Sequence, residues 1–392
     1  MAAGSSSSET LESLTVRVAL TGATGFLGLR LLRELLERHD SLTVLTHAGS
    51  GSALRRITRF MELTNTPGEV IAELPNRLRV VETDLAQPQL GLSTAVFRQL
   101  ADELDVIWHS AGNINLDDDL VALRRVNVEG TRNVLELAAV GVGKPMVFHV
   151  STAFVAGARP EGVIYEDELD GAHGFENGYE RSKYEAEVLV HEWSRAHGRP
   201  VGIMRPGILV TDLAPDAELP QHPLQFISRI VQASARGDGL AVAGRGVAEE
   251  DRPVVRMTGR HDGHLNLMPV EHAAAVMVRL ASGAPSGRVD TYQIVHDHEV
   301  ATTVLVALLE RLVPVRVRLV EKKPHDPTAL EATADLYPGF TPYLSHRRRF
   351  DDTRVRTRLG PFSSGIRVDL DYLTSGLSPK QSTQSTSAAG VR

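Results

Sequence analysis

The sequence predicts an α/β fold, a parallel sheet with helices on both faces. Short apolar runs, each the length of a strand, alternate with segments of helical periodicity up to about residue 212. The first run leads directly into three glycines spaced Gly-x-x-Gly-x-x-Gly, and an amphipathic helix begins at once. After residue 213 the segments become longer and more irregular, which indicates a smaller lobe interleaved with the first domain.

The apolar runs define the expected strands of the sheet. They are Val16–Leu20, Leu42–Thr46, Leu78–Glu82, Val106–His109, Met146–Val150 and Val201–Arg205. In the lobe we expect helices near Pro223–Ala235 and Val270–Ala281. Apolar and basic residues alternate over Val315–Leu319, which predicts an exposed strand.

Both ends of the chain are rich in small polar residues, which predicts disordered tails. The expected organisation is a tail at 1–14, a dinucleotide-binding domain at 15–212, a substrate-binding lobe at 213–374 and a tail at 375–392.

The composition excludes several classes of function. A net charge of −7 argues against a nucleic-acid binder. Without cysteine there is no disulfide framework, thiolate metal site or cysteine nucleophile. No apolar run approaches a membrane span, and the N-terminus lacks the features of a secretory signal, so a cytoplasmic protein is expected. Histidine pairs at 261/264 and 296/298 lack helical ligand spacing, and no metal is expected.

The glycine motif after the first strand predicts a dinucleotide site. Gly22 allows a tight turn, Gly25 lets the backbone approach a pyrophosphate, and Gly28 lets the helix pack close to the strand. Free N–H groups at the helix start would face the phosphates, with Thr24, Phe26 and Leu27 in the same turn. The alternative is a glycine-rich surface turn.

The residues after the second strand favour NADPH, with NADH as the alternative. This strand ends without the carboxylate that usually binds the ribose of NAD, and arginines follow. An arginine can bind a 2′-phosphate bidentately. Arg55 and Arg56 are the first candidates, and His47 is a further one. The alternative is that the arginines form the solvated face of a helix.

Two further strand ends carry candidate cofactor contacts. Asp84, with the N–H of Leu85, could bind the adenine amino group, although the aspartate could instead cap the following turn. The small residues Ser110, Ala111 and Gly112 follow the fourth strand, where a ribose or nicotinamide could pass closely.

A tyrosine and a lysine four residues apart predict the catalytic pair. Tyr179 and Lys183 would lie on one face of a helix, and the ammonium is expected to lower the pKa of the phenol. The tyrosine could then exchange a proton with a carbonyl or alcohol oxygen. At the end of the fifth strand, Thr152 would bind the substrate oxygen and Ser151 would pack near the nicotinamide. The alternative for either hydroxyl is a local backbone hydrogen bond.

With these motifs the chain resembles the extended short-chain dehydrogenase/reductases. Within them it is most similar to the branch of thioester reductase domains and fatty acyl-CoA reductases. The resemblance covers residues 15–362 approximately, and the matching segments are Thr21–Gly28, Thr83–Leu92, His109–Gly112, Asn127–Thr131, Val150–Val155, Tyr179 with Lys183, Met268–His272 and Arg349–Thr353.

The resemblance implies a Rossmann-type doubly wound parallel sheet with a smaller, mostly C-terminal substrate-binding lobe. It makes Thr152, Tyr179 and Lys183 catalytic, and it has Asn127 bind Lys183 through water. Residues 206–208, which are Pro206, Gly207 and Ile208, would line the nicotinamide. The chain departs from this branch in having His47 where an arginine is usual, and in the polar segment Asn113–Asn115.

The expected function is NADPH-dependent reduction of an acyl thioester to an aldehyde or alcohol in secondary metabolism. The acyl group would arrive in trans, on coenzyme A or an acyl carrier protein. Arg347–Arg349 and Lys322–Lys323 are candidate docks for an acidic carrier. An epimerase, dehydratase or dehydrogenase acting on a nucleotide sugar or another alcohol is the alternative, and a non-catalytic redox sensor is a third hypothesis. The oligomeric state stays open.

Overall fold

The computed structural model describes residues 16–47, 53–222, 224–225, 228, 248–283, 285–328, 331–332, 341–360 and 364–377. The expected N-terminal tail lies outside these residues. So do the expected C-terminal tail beyond residue 377 and most of the helix expected at Pro223–Ala235.

Strands and helices alternate along the described chain. The strands are β1 (Val18–Thr21), β2 (Leu42–His47), β3 (Leu78–Thr83), β4 (Val106–His109), β5 (Met146–Val150), β6 (Glu161–Ile164), β7 (Val201–Pro206), β8 (Ile208–Val210), β9 (Val254–Thr258), β10 (His264–Leu265), β11 (Leu267–Pro269), β12 (Val289–Ile294), β13 (Val300–Ala301), β14 (Arg316–Val320) and β15 (Arg347–Phe350). The α-helices are α1 (Phe26–Leu36), α2 (Ala53–Leu63), α3 (Gly68–Arg77), α4 (Thr94–Glu103), α5 (Leu120–Arg124), α6 (Gly130–Val140), α7 (Gly178–His197), α8 (Val270–Ala281), α9 (Thr302–Leu312), α10 (Thr353–Leu359) and α11 (Leu370–Leu377).

The central sheet has seven parallel strands in the order β12-β7-β5-β4-β1-β2-β3. This is the predicted Rossmann-type doubly wound sheet. The chain winds outward in both directions from β1, so the loops after β1 and β4 meet at the point where ligands bind in such sheets. All six predicted strands are present, with ends that differ by at most two residues.

The seventh strand, β12, was not predicted. It pairs in parallel with β7, from Val289 opposite Val201 to Ile294 opposite Pro206. Its buried positions include the polar residues Thr291 and Gln293, so the segment lacks the continuous apolar run that marked the other strands.

Helix α8 returns the chain to the first domain, at the bounds predicted for it. It packs against α1, whose apolar face of Leu31, Leu32 and Leu35 is buried in the core of the sheet. The buried guanidinium of Arg30 pairs with Glu271 at 3.0 Å and joins the two helices.

The remaining strands form two-stranded sheets, which pair β6 with β15, β8 with β11, β9 with β14 and β10 with β13. The predicted exposed strand at 315–319 is β14, which begins one residue later. A second apolar core, with Phe154, Val210 and Leu305, lies between these elements. The domain boundaries at 212 and 374 stay predictions. No helix among the described residues has both the length and the apolar character to cross a membrane.

Gly28 in α1 provides a test of the close contact between helix and turn. A Cβ at this position would lie 1.8 Å from the carbonyl oxygen of Gly22. We expect Gly28→Ala to destabilise the protein by at least about 2 kcal/mol, because backbone atoms must move. The matched control is Gly68→Ala, since a Cβ at Gly68 meets nothing within 4 Å. This control substitution should leave the stability unchanged or raise it by about 0.5 kcal/mol. Urea unfolding of both variants measures the change in the free energy of unfolding. Equal stabilities of the two variants would contradict the prediction.

Candidate active site

The loop between β1 and α1 has the geometry predicted for a phosphate cradle. Gly22 has a φ of +71°, and a Cβ there would lie 2.7 Å from the Cα of Ala111. The N–H of Gly25 donates to the carbonyl of Gly22 at 2.9 Å and closes the turn. No side chain caps the start of α1, so its first N–H groups can bind an anion.

A cavity of about 490 Å³ runs along the carboxyl ends of β1, β4, β5 and β7. Seventeen of the predicted site residues line it, and they are Gly22, Thr24, Gly25, Phe26, Leu27, Gly28, Arg56, Ser110, Ala111, Gly112, Ser151, Thr152, Tyr179, Lys183, Pro206, Gly207 and Ile208. The lining also includes residues that the sequence did not indicate, and these are Ile114, Leu116, Val150, Phe154, Leu209, Pro220, Gln221 and Tyr343.

Of the candidates for the cofactor phosphate, Arg56 lines the cavity. Its Nε is buried without a hydrogen-bond partner among the described residues. Arg55 is exposed, with its Nε 3.5 Å from Glu218. His47, at the end of β2, is also exposed and does not line the cavity.

Asp84 and Leu85 lie outside the cavity lining. The carboxylate of Asp84 accepts a hydrogen bond from the N–H of Ala86 at 2.9 Å, which is the turn-capping alternative. The carbonyl of Leu85 accepts from the side chain of Asn133 in α6 at 2.8 Å. The geometry therefore shows a structural use for both residues, and contact with adenine stays a prediction.

Asn127 is buried in a π-helical turn between α5 and α6, a feature often found at functional sites. Its Oδ1 accepts from the N–H of Asn113 at 2.7 Å, and its Nδ2 donates to the Oγ of Ser182 at 2.9 Å. It thereby joins the loop after β4 to helix α7, which carries Tyr179 and Lys183. Binding to Lys183 through water stays a prediction.

The structure brings the three predicted catalytic side chains to one wall of the cavity. The hydroxyl of Thr152 accepts from the N–H of Phe154 at 3.2 Å and also hydrogen-bonds the phenol of Tyr179. The ammonium of Lys183 donates to the carbonyl of Val150 at 2.7 Å. Thr152 therefore makes the local backbone bond of the alternative interpretation and still contacts the tyrosine.

The expectation of a lowered tyrosine pKa is wrong for the protein alone. Burial, with a smaller contribution from the charge of Glu180, raises the pKa of Tyr179 to about 12. Burial also lowers the pKa of Lys183 to about 8. The loss of solvation is the largest cause of both pKa shifts, so both side chains are mostly protonated at neutral pH.

A buried ion pair under the cavity escaped the sequence analysis. Glu187, one turn after Lys183 on α7, is fully buried and accepts hydrogen bonds from the guanidinium of Arg205 at the end of β7. Ser151 donates its hydroxyl to the same carboxylate at 2.5 Å. Ser151 therefore anchors the end of β5 in this structure, and its contact with the nicotinamide stays a prediction. The four-residue spacing between Lys183 and Glu187 was the sequence signal that could have placed this glutamate on the same face of the helix.

A second buried network holds the ends of β1 and β4 together. The hydroxyl of Thr21 accepts from the N–H groups of Ser110 and Ala111, so its proton goes to Nδ1 of His109 at 2.9 Å. The Nε2–H then donates to Thr131 at 3.0 Å. Burial lowers the pKa of His109 to about 3 and keeps the ring neutral.

The proposed basic dock at Arg347–Arg349 is wrong for Arg348. This side chain is 2% exposed, and its guanidinium lies over the ring of Phe154 at 4.9 Å. Arg347 is exposed and paired with Asp262 at 3.1 Å. Because successive side chains of a strand lie on opposite faces, Arg348 of β15 is buried while Arg347 and Arg349 are exposed. Lys322 and Lys323 are exposed. Within the described ranges, no three His, Asp or Glu side chains are grouped as a metal site would need.

Comparison with known proteins assigns the family. Residues 20–277 match the family described as Male sterility protein, which is well over half of the chain. The chain belongs to this family. It is an extended short-chain dehydrogenase/reductase of the thioester reductase branch and an NAD(P)-dependent oxidoreductase, as the motifs predicted.

The chain is similar to reductase domains of large assembly enzymes. It is 32% identical over 301 residues to the isonitrile lipopeptide synthase of Mycobacterium tuberculosis, covering 72% of this chain and 12% of that protein. The chain spans between 4% and 13% of the first curated relatives it matches.

Among solved structures, the terminal R domain of the myxalamid PKS-NRPS pathway is 26% identical, with a TM-score of 0.71 over 93% of this chain and 90% of that one. The reductase (R) domain of a nonribosomal peptide synthetase from M. tuberculosis, at 23% identity and a TM-score of 0.63, shares the fold over 92% of this chain and 90% of that one.

We expect the burial of Lys183 to lower the free energy of unfolding at neutral pH. The folded-state pKa of about 8 lies below the ordinary value of 10.5, so burying the charged form costs free energy below pH 8. We expect Lys183→Met to be about 2 kcal/mol more stable at pH 7, after allowing for the lost bond to Val150. Wild-type stability should rise between pH 8 and 10.5, because the unfolded state binds one more proton than the folded state in this range. The difference in stability between Lys183→Met and wild type should therefore shrink as the pH rises.

Urea unfolding at pH 7 and pH 10 measures this difference. The control is Lys322→Met, because Lys322 is exposed and its removal should change neither value. An advantage of Lys183→Met that is the same at both pH values would contradict the assigned burial cost.

Proposed function

We propose that the protein reduces an acyl thioester, carried on coenzyme A or a carrier protein, with hydride from NADPH. The observation that carries this proposal is the convergence of Thr152, Tyr179 and Lys183 on one cavity that the glycine loop also lines. The likeness to the terminal R domain of a PKS-NRPS pathway supports a carrier-bound acyl group as the substrate class.

The residues present fit a phosphorylated dinucleotide. The uncapped start of α1 offers N–H groups to a pyrophosphate. At the same cavity the buried Nε of Arg56, which has no hydrogen-bond partner within the described part of the chain, fits a 2′-phosphate that would give it an acceptor. Bound NADPH would supply the hydride that converts the thioester carbonyl to an alkoxide.

The chain's own side chains would manage the charge and the proton. Thr152 and Tyr179 would donate hydrogen bonds to the carbonyl oxygen, where negative charge develops. The raised pKa of Tyr179 keeps its proton in place until an alkoxide forms, which suits a proton donor. The protonated Lys183 adds positive charge beneath the site. The resulting hemithioacetal releases the thiol and leaves an aldehyde, and a second reduction would give the alcohol.

Replacing the proton donor tests the reaction. We expect Tyr179→Phe to lower kcat by about 10²–10⁴, because the alkoxide loses both a hydrogen bond and its proton source. The matched control is Tyr184→Phe on the same helix, since the ring of Tyr184 packs against Phe175 at 5.1 Å. NADPH oxidation and free thiol would be followed together, with acyl-CoA and acyl carrier protein as substrates.

One NADP⁺ per thiol from wild type, for an aldehyde product, or two NADP⁺ per thiol, for an alcohol product, would support the proposal. NADPH oxidation without thiol would indicate a carbonyl reductase instead. Activity on a nucleotide sugar with bound NAD, and none on either kind of thioester, would favour the epimerase or dehydratase alternative.

The choice of cofactor depends on Arg56. We expect Arg56→Ala to raise the KM for NADPH about 10–100-fold, because a charge-assisted contact to the 2′-phosphate is lost. The KM for NADH should change little. Arg55→Ala is the matched control, since the exposed Arg55 faces Glu218. An equal effect of Arg56→Ala on both cofactors would assign this arginine a role other than phosphate recognition.

A further inference from the structure

The two ends of the cavity differ in chemistry. Arg56 and the glycine loop lie at one end, where the phosphates of the cofactor are expected. Beyond Thr152 and Tyr179, the described lining includes the apolar residues Ile114, Leu116, Phe154 and Tyr343, and the last three pack in one apolar cluster. A carbonyl held by Thr152 and Tyr179 would therefore direct its acyl group into the apolar end.

The loop after β4 keeps its polar atoms out of this end. The side-chain amides of Asn113 and Asn115 both donate to the carboxylate of Asp118, at 2.6 and 2.5 Å. Ile114, between them, is half exposed and lines the cavity. The polar segment that departs from related reductases thus presents an apolar side chain to the substrate.

Tyr343 reaches this end from the helical turn Thr341–Ser345 of the C-terminal lobe. Its hydroxyl donates to Glu180 at 2.7 Å and accepts from the amide of Asn177 at 2.8 Å. Its ring meets the ring of Phe154 edge-on, with centroids 5.1 Å apart. The phenol is therefore held by its own hydrogen bonds, and the same side chain lines the cavity.

The anchor of Tyr343 is itself a buried network. Glu180 is fully buried and accepts a second hydrogen bond from the N–H of Glu176 at 2.9 Å. The guanidinium of Arg348 lies 3.8 Å from the Glu180 carboxylate and over the ring of Phe154. These contacts fix both rings at the apolar end, because moving either one would uncover a buried charge.

We propose that Tyr343 is a specificity-determining residue, whose anchored ring closes the apolar end of the cavity and limits the size of the acyl group. The proposal rests on the proposed function for the nature of the substrate. It assigns Tyr343 a role in the fit of the substrate and none in the transfer of hydride or proton.

Binding of S-alkyl-CoA thioethers tests the wall without any turnover. These probes carry straight alkyl chains of increasing length and cannot be reduced. In the presence of NADPH, the wild-type Kd should tighten by about fourfold per added methylene until the chain reaches the wall, and then stop improving. Tyr343→Ala should shift this limit to chains at least two carbons longer. For the first chains beyond the wild-type limit, the Kd of the variant should be about tenfold tighter than that of wild type.

Two further variants keep the test decisive. Tyr343→Leu retains an apolar filling of the core if the alanine variant fails to fold, and it should move the limit in the same direction by fewer carbons. Tyr165→Ala is the matched control, because Tyr165 is 51% exposed and does not line the cavity.

A wild-type Kd without a length limit, or a limit that Tyr343→Ala and Tyr343→Leu leave in place, would overturn the proposal. The same length series of acyl-CoA thioesters, followed by NADPH oxidation, tests the proposed reaction separately. No oxidation of NADPH with these thioesters or with acyl carrier protein substrates, together with a shifted binding limit, would overturn thioester reduction while supporting the size limit set by Tyr343.

Discussion

The carboxylate of Glu187 holds together the three elements that build the site. It lies on the catalytic helix α7, accepts the hydroxyl of Ser151 at the end of β5, and pairs with Arg205 at the end of β7. Both charges are buried, so losing either partner would leave the other unpaired at a cost of about 3–5 kcal/mol. The distance between the Tyr179–Lys183 face and the strand ends that carry the other site residues depends on this pair.

Burial then sets the protonation of the groups above and beside that pair. It raises the pKa of Tyr179 and lowers those of Lys183 and His109, because in each case the charged form loses solvation. The phenol and the ammonium keep their protons near neutral pH, while the histidine stays neutral and acts as a hydrogen-bond link. This combination suits proton donation to a developing alkoxide, the direction that a reductase needs.

The cavity combines two environments that come from different parts of the chain. The turn after β1 and Arg56 provide N–H groups and positive charge for phosphates, whereas the apolar end combines Leu116 and Phe154 of the first domain with Tyr343 of the lobe. Tyr343 belongs to the lobe but is hydrogen-bonded to Glu180, the residue next to the catalytic tyrosine. The positions of Tyr343 and of the neighbouring Tyr179 are therefore linked through one buried network.

The sequence by itself determined the features that depend on neighbours along the chain. Apolar runs predicted six strands of the sheet, the glycine spacing predicted the turn, and four-residue spacing placed Tyr179 and Lys183 on one helical face. Tertiary structure decided that Arg348 is buried, that Glu187 pairs with Arg205, and that Tyr343 reaches the cavity. Each of these depends on segments distant in sequence, and the burial of a charge depends on what packs over it. Local patterns therefore predicted the candidate residues Thr152, Tyr179 and Lys183, whereas long-range packing decided the pKa values of Tyr179 and Lys183 and the apolar part of the cavity lining.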